Sequence, residues 1–319
     1  MIKGLALTPP VIGRISIGRV VEKNGKRLPE KDDEFTITSQ IQHKDGWITH
    51  PLDEALRGSS GAKLRSIPIK LLFDDPDLNM RANYTLFNRT TGRPVCVGDG
   101  ETCRRATAEG IQSLECRTPD DCELAQGSQC KPYGRLNVRI GDEDELGTFI
   151  LRTTGFNSIR TLMTRLRYFH AVSGGLLSSL PLELRLRGKS TTQSHRSTVF
   201  YVDLTLRTGE SLTEAVNQAR SERAQKKALG LDQGALDAAA RRGMAQGPFS
   251  DVDEDVMPLL DEFFPESEQG DGAVPSGVRS GDRGLRSKLR EKSERLAETD
   301  LGGWGAESGP TEDGEPASD

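Results

Sequence analysis

The chain has 319 residues, of which 34% are hydrophobic, 29% charged and only 5% aromatic. That balance is too poor in apolar side chains for one fully packed body of this length, and no run approaches the roughly 18 apolar residues of a membrane-crossing helix. Charge is unevenly spread. From Asp251 onward there are 19 acidic and seven basic residues, a net of −12, which leaves +7 on the first 250 residues. A basic body with an acidic tail suits a nucleic-acid partner, because cationic surfaces release counterions condensed on phosphate. A solubilising tail on an ordinary domain is the blander reading of the same numbers.

The opening MIKGLALTPPVIGRISIGRV is interrupted by Pro9, Pro10, Gly13 and Arg14, so no signal peptide is expected and the protein reads as cytoplasmic. Ile15 to Val21 leads into Asn24-Gly25, a dipeptide suited to a tight hairpin, with Glu34 to Ile41 as the return strand. Ser66 to Phe73 and Ala82 to Phe87 read as further strands, followed by a turn at Thr91-Gly92-Arg93-Pro94. Residues 95–131 hold all five cysteines and few large apolar groups, so this loop is expected to need something other than packing to order it. Gly134 to Ile140 and Thr148 to Thr153 form a hairpin around an acidic turn at Asp142 to Glu145.

The clearest helix runs from about Asn157 to Ala171. Ile159, Leu162, Met163, Leu166 and Phe169 (or Tyr168) form its apolar stripe, Asn157 or Ser158 caps it, and Gly174-Gly175 stops it. Leu182 to Arg187 and Thr198 to Arg207 are strands flanking the polar loop GKSTTQSHRS. Ser211 and Glu214 make a capping box that opens a helix to about Leu229, and a shorter Ala-rich helix spans Gln233 to Met244. Both are weakly apolar and read as marginally ordered. The expected organisation is a folded core over 1–208, a helical extension over 209–246 and a disordered acidic tail over 247–319. The fold class is α+β, mainly β, as a small antiparallel barrel or sheet with an embedded zinc loop and one main helix. A Greek-key barrel of OB type is the leading architecture.

Cys96, Cys103, Cys116, Cys122 and Cys130 fall within 35 residues, and no other cysteine occurs in the chain. In a reducing compartment such clustering favours metal over disulfides. Four thiolates suit tetrahedral Zn²⁺, and a closed four-cysteine site is structural rather than catalytic. Zinc binding would then supply folding free energy to the loop. Cys116, Cys122 and Cys130 are the firmest ligands, with Cys103 as the fourth and Cys96 close behind. An iron–sulfur cluster and free redox thiols are the alternatives.

The segment CVGDGETC, the spaced Cys116, Cys122 and Cys130, CKPYGRLNVRI (130–140) and TTGFNSIRTL (153–162) resemble the recombination directionality factor-like proteins of phages and integrative conjugative elements. Such proteins are often described as "hydrolase or metal-binding protein". IGRISIGR and LELRLRGKS extend the resemblance to about residues 1–208. It implies a protein that works with a site-specific recombinase, or otherwise serves DNA processing on a mobile element.

Lys131, Tyr133, Arg135, Arg139, Arg152, Arg160, Arg165, Arg167, Arg185, Arg187 and Lys189 are the candidate nucleic-acid-binding residues. In RLNVRI and ELRLRG the arginines alternate with apolar residues, which puts them on one face of a sheet. Arg196 and Arg207 add to this charge, and Phe156, Tyr168 and Tyr201 join Tyr133 as stacking surfaces for unpaired bases. A solvated sheet face with core aromatics is the bland counterpart. A more specific reading is a single-stranded-DNA-binding protein whose tail docks partners through residues 251–268, with Leu259, Leu260, Phe263 and Phe264 as apolar contacts. A metal-dependent hydrolase is the alternative from another class. It has little residue support, because His43, His50, His170 and His195 form no zinc-hydrolase motif and only Asp99 and Glu101 lie near the cysteines as candidate bases. The GKST at Gly188 to Thr191 lacks the upstream glycine of a phosphate loop, since position 183 is Glu183. A third reading is a recombinase-docking regulator without DNA affinity.

Overall fold

The computed structural model describes residues 10–23, 26–43, 46–58, 62–125, 129–141, 147–190 and 198–244. The expected tail, its docking motif and the acidic turn at Asp142 to Glu145 lie outside these residues. The chain begins with a long antiparallel hairpin of β1 (Val11–Lys23) and β2 (Lys26–His43), and β3 (Gly46–Thr49) pairs back on β2. Helix α1 (Pro51–Arg57) follows. His50 caps it by accepting from the Leu52 N–H at 3.2 Å, and the buried Asp53 carboxylate accepts from the Ile37 N–H at 2.8 Å and Arg57 Nε at 2.6 Å. One carboxylate thus pins α1 to β2.

Strand β4 (Ser66–Lys70) and strand β5 (Met80–Phe87) are separated by the short helix α2 (Pro76–Asn79). The cysteine-bearing segment is next, and here the expectation of a loop is corrected. It is a meander of β6 (Pro94–Gly98), β7 (Thr102–Thr107) and β8 (Gly110–Glu115), closed by the single-turn helix α3 (Thr118–Asp121). Its order comes from ladder hydrogen bonds between consecutive strands and from a small cluster of Leu86, Cys96 and Cys103, which replaces a large apolar face.

Strand β9 (Lys131–Ile140) then enters the centre of the molecule, followed by β10 (Thr148–Thr153), α4 (Phe156–Ser173), β11 (Leu182–Ser190), β12 (Thr198–Leu206), α5 (Leu212–Ala228) and α6 (Gln233–Met244). The sheet is mixed. Along one path the order is β3-β2-β1-β10-β9-β5-β6-β7-β8, while β4 joins β9 to β11 and β11 pairs with β12. The sheet therefore branches at β9. The β1–β10 pair is parallel, a feature outside the expected antiparallel barrel or sheet, and it joins strands more than a hundred residues apart.

One hydrophobic core serves these elements. Ile15, Phe35, Ile37, Ile67, Ile69, Leu136, Val138, Phe149 and Leu151 from the strands meet Ile159, Leu162, Leu166 and Phe169 from α4. Each such side chain contributes roughly 1.5–3 kcal/mol by leaving water. The stripe on α4 is the one its periodicity indicates, and Gly174, with φ of +71°, ends the helix in the left-handed region. The expected side-chain cap is corrected: Gly155 is the N-cap residue and makes no side-chain cap bond. Ser158 Oγ instead accepts from the Val202 N–H at 3.1 Å, and Asn157 Oδ1 accepts from Lys189. Both side chains are drawn to the neighbouring strands.

Helix α5 lacks an apolar stripe and α6 offers mainly alanine, with Ala240 packed on Phe73 and Leu78, yet both are held. The capping box at Ser211 and Glu214 is formed, and Ala215, Val216 and Ala219 enter the core. Polar latches do the rest. Arg223 reaches Asp74 at 2.5 Å and Ser178 Oγ at 2.9 Å, Lys70 pairs with Glu222, and the Asp237 carboxylate accepts from the Asp74 and Asp75 N–H groups at 3.1 Å. No helix among the described residues is long and apolar enough to cross a membrane.

Gly134 on β9 faces α4 so closely that a Cβ there would lie 2.8 Å from Ile159 Cγ1 and 3.1 Å from Met80 Cε. Gly134→Ala is therefore expected to cost about 1–3 kcal/mol through overpacking, read as a lower urea midpoint at unchanged slope. An unshifted midpoint would mean that β9 and α4 are not in this contact.

Candidate metal centre and nucleic-acid interface

The five cysteines come from different parts of the meander. Cys96 lies on β6, opposite Arg105 of β7, and Cys103 lies opposite Gly98. Cys116 follows β8, where its N–H donates to the Glu101 carbonyl at 2.9 Å, Cys122 follows α3, and Cys130 precedes β9. A side chain at Gly98 would close the space between them, since its Cβ would sit 2.7 Å from Cys116 Sγ and 2.8 Å from Cys103 Cβ. Cys96 and Cys103 are buried, the other three are half-buried, and none forms a disulfide.

The thiols act on one another electrically. Burial, followed by the neighbouring Cys96, Cys116, Cys122 and Cys103, pushes the Cys130 thiol up to about 12. Burial and a hydrogen bond with Cys96 push Cys103 up to about 11, and Arg105 opposes the rise. Arg105 itself is raised, chiefly by its hydrogen bond to Cys96. Five soft donors crowded this closely suit a thiophilic cation, which would reverse the mutual penalty on their ionisation. Among the described residues no three or more His, Cys, Asp or Glu side chains are arranged so that they could hold a metal ion.

Of the two carboxylate candidates for a base, Asp99 has other work. Asp99 accepts from the Glu101 and Thr102 N–H groups, each at 2.8 Å, and these bonds hold it below the usual carboxylate range. It is a turn residue. His50 caps α1 and packs edge-on against Phe149 at 5.0 Å. Gly188, Lys189 and Ser190 of the GKST sequence lie on β11, where Gly188 gives room to Thr198 and Phe200 across the hairpin, and Thr191 lies outside the described residues.

The candidate basic residues fall into two groups. On β9 the core takes Leu136, Val138 and Ile140, which leaves Lys131, Arg135 and Arg139 on the outer face. Arg135 is in register with Arg152 of β10 on one side and Arg81 of β5 on the other. Arg81 is absent from the sequence-based candidates. Burial and Arg135 lower its guanidinium to about 10, which leaves it cationic at neutral pH. Tyr133, expected to stack on bases, is 7% exposed and meets the Phe87 ring edge-on at 5.7 Å.

The second group surrounds a cleft of about 460 Å³ lined by Arg165, Tyr168, Arg185, Arg187, Arg207 and Thr208, among others. Two buried carboxylates sit beneath it. Asp203 accepts from Arg165 Nε at 3.1 Å and Arg187 Nε at 2.6 Å, and Glu183 pairs with Arg185, which also donates to Thr208 Oγ1 at 2.6 Å. The remaining candidates are dispersed. Arg160 is exposed on α4, Arg167 lies 3.9 Å from Asp77, and Lys189 bonds Asn157. The docking residues Leu259, Leu260, Phe263 and Phe264 lie outside the described residues.

Residues 12–207 match the model of the Gp3-like family, described as recombination directionality factor-like. The chain belongs to that family. The match spans β1 to β12, and so contains both the cysteine module and the arginine groups. Membership supports an accessory role in phage-type recombination, alongside DNA recombination machinery. No curated protein and no solved structure matches the chain.

The raised thiols carry a direct consequence. Because the thiolate is the reactive form, Cys130 of metal-free protein is expected to alkylate at pH 8 about two to three orders of magnitude more slowly than an ordinary thiol, with Cys103 also slowed. Rates should climb as pH rises toward 11–12. Site-resolved mass spectrometry of maleimide labelling reads both, and ordinary labelling of Cys130 at pH 8 would contradict the crowded arrangement.

Proposed function

We propose that this protein is a non-catalytic, zinc-stabilised DNA-associated accessory factor of a mobile genetic element, acting with a site-specific recombinase. The observation that carries the reading is the path of β9. The strand starts at Lys131, directly after Cys130, and presents Arg135 between Arg81 and Arg152 on its outer face. Three guanidiniums brought together on one sheet face can contact phosphates, which position a duplex or single strand without reading its sequence.

Zinc, in this reading, is held by Cys116, Cys122 and Cys130 with Cys103 or Cys96 as the fourth ligand. It braces the meander against the start of β9 and does no chemistry. The donor set favours this, since all-thiolate zinc sites are closed and structural. The turn role of Asp99 counts against one of the two carboxylate candidates for a base, which favours an accessory over a hydrolase. Recruitment of the recombinase falls to the acidic segment 251–268.

The test combines metal analysis with gel shifts. One zinc per chain is expected, and Cys116→Ser with Cys130→Ser should lose it and lower the melting temperature. Arg135→Gln with Arg152→Gln should weaken DNA binding and flatten its dependence on salt by about one unit of slope per lost phosphate contact. Deletion of residues 248–319 should leave DNA binding intact while abolishing recombinase capture. Purified protein free of zinc yet fully folded would overturn the metal reading, and salt-insensitive DNA binding would overturn the interface.

A further inference from the structure

The cleft between α4 and the β11–β12 hairpin has features that a solvated basic face does not require. Asp203 is 2% exposed and Glu183 is 4% exposed, so both carboxylates are buried beneath arginines that remain accessible. Arg165 and Arg187 both bind Asp203 through Nε, at 3.1 and 2.6 Å. That mode leaves the two Nη groups of each guanidinium for another acceptor. A buried carboxylate on Nε fixes the plane of the fork, and a fixed fork matches the oxygens of a phosphate bidentately. Arg185 is held differently, since one of its Nη groups donates to both Glu183 and Thr208 Oγ1, and it adds charge rather than a free fork. With Arg207 in the lining, four arginines face two carboxylates, so the lining carries a surplus of two positive charges.

Beside this cluster Tyr168 is 48% exposed, unlike the buried Tyr133, and its ring is braced edge-on by Phe169 at 5.5 Å. The cleft, about 460 Å³, is open to solvent along most of its length rather than enclosed, as suits a segment of strand laid across it. An open aromatic face next to a phosphate fork suits a base that is not stacked in a duplex.

We infer that this cleft binds one phosphorylated nucleotide unit with an unpaired base: Arg165 and Arg187 clamp the phosphate, Arg185 and Arg207 add charge, and Tyr168 stacks the base. The unit is a nucleotide of an exposed single strand or a free mononucleotide, which share this chemistry. The inference rests on the nucleic-acid reading above and adds a subsite distinct from the Arg81–Arg135–Arg152 row.

The experiment uses the full chain, fluorescence anisotropy and labelled hexathymidylate, with a blunt hairpin duplex as second probe and thymidine monophosphate and inorganic phosphate as competitors. Tyr168→Ala should lower hexathymidylate affinity by about tenfold or more while leaving duplex affinity unchanged. Arg187→Lys keeps a cation beside Asp203 but removes the fork, and should lower hexathymidylate affinity similarly. Melting temperatures of both variants show that the fold is kept, and Tyr168→Ala decides the matter if Arg187→Lys is unstable. Displacement by thymidine monophosphate in the millimolar range, but not by phosphate alone, assigns a free nucleotide as an additional ligand; displacement by neither supports the strand alone.

Unchanged hexathymidylate binding in both variants, with loss in Arg135→Gln, overturns the cleft and leaves the nucleic-acid reading standing. Failure of wild-type protein to bind either probe at low salt overturns both. Displacement by a peptide of residues 251–268, with no effect of Tyr168→Ala, overturns the inference in favour of an acidic protein segment as occupant.

Discussion

The double pairing of β9 is the constraint on which the other features depend. Its ten residues hydrogen-bond to β10 along one edge and to β5 and then β4 along the other, so the sheet divides there into a branch toward the cysteine meander and a branch toward β11 and β12. A strand paired on both edges cannot shift register without moving its neighbours. A one-residue slip would exchange Leu136, Val138 and Ile140 for Arg135, Asn137 and Arg139 against α4. The inner face thereby fixes the outer one, and the apolar core determines where the arginines of β9 stand.

This explains how a module poor in apolar side chains can serve a function at a distance. The meander of β6, β7 and β8 has a small cluster of its own, but β6 pairs with β5, and β5 pairs with β9. Whatever stabilises the cysteines is transmitted through two strand pairings to the row formed by Arg81, Arg135 and Arg152. Metal binding contributes folding free energy locally. In the proposed reading, a metal held by the cysteines would extend that free energy to the register of the row on β9.

Legibility in the sequence followed the range of the interactions. Alternation in RLNVRI announced β9, with the correct outward residues, because period-2 burial is written residue by residue. The stripe of α4 was equally readable, and so were the capping box of α5 and the family resemblance carried by the cysteine and CKPYGRLNVRI segments. The parallel β1–β10 pair was not, since Val11 and Thr148 carry no local mark of each other. TCRRAT and GIQSLE escaped as strands because neither has an apolar face, and their order resides in backbone bonds. Arg81 escaped for a related reason: inside MRANYTLF it is one cation among apolar residues, and only cross-strand register reveals its row. Tyr133 and Tyr168 were indistinguishable as letters, yet Phe87 buries one while the other stays open.

Asp203 and Glu183 were also unreadable as anything but acidic residues in strands, and their burial gives the arginine cleft its physical character. A buried carboxylate paired with arginine is seldom more stable than an apolar residue of the same size, because desolvation offsets the attraction. Two such sites within one hairpin therefore contribute little net stability. What they do contribute is orientation, since each draws flexible guanidiniums into a defined plane and removes the entropy that a ligand would otherwise have to overcome. In the proposed reading, that orientation is what would let the cleft hold a phosphate in a particular geometry.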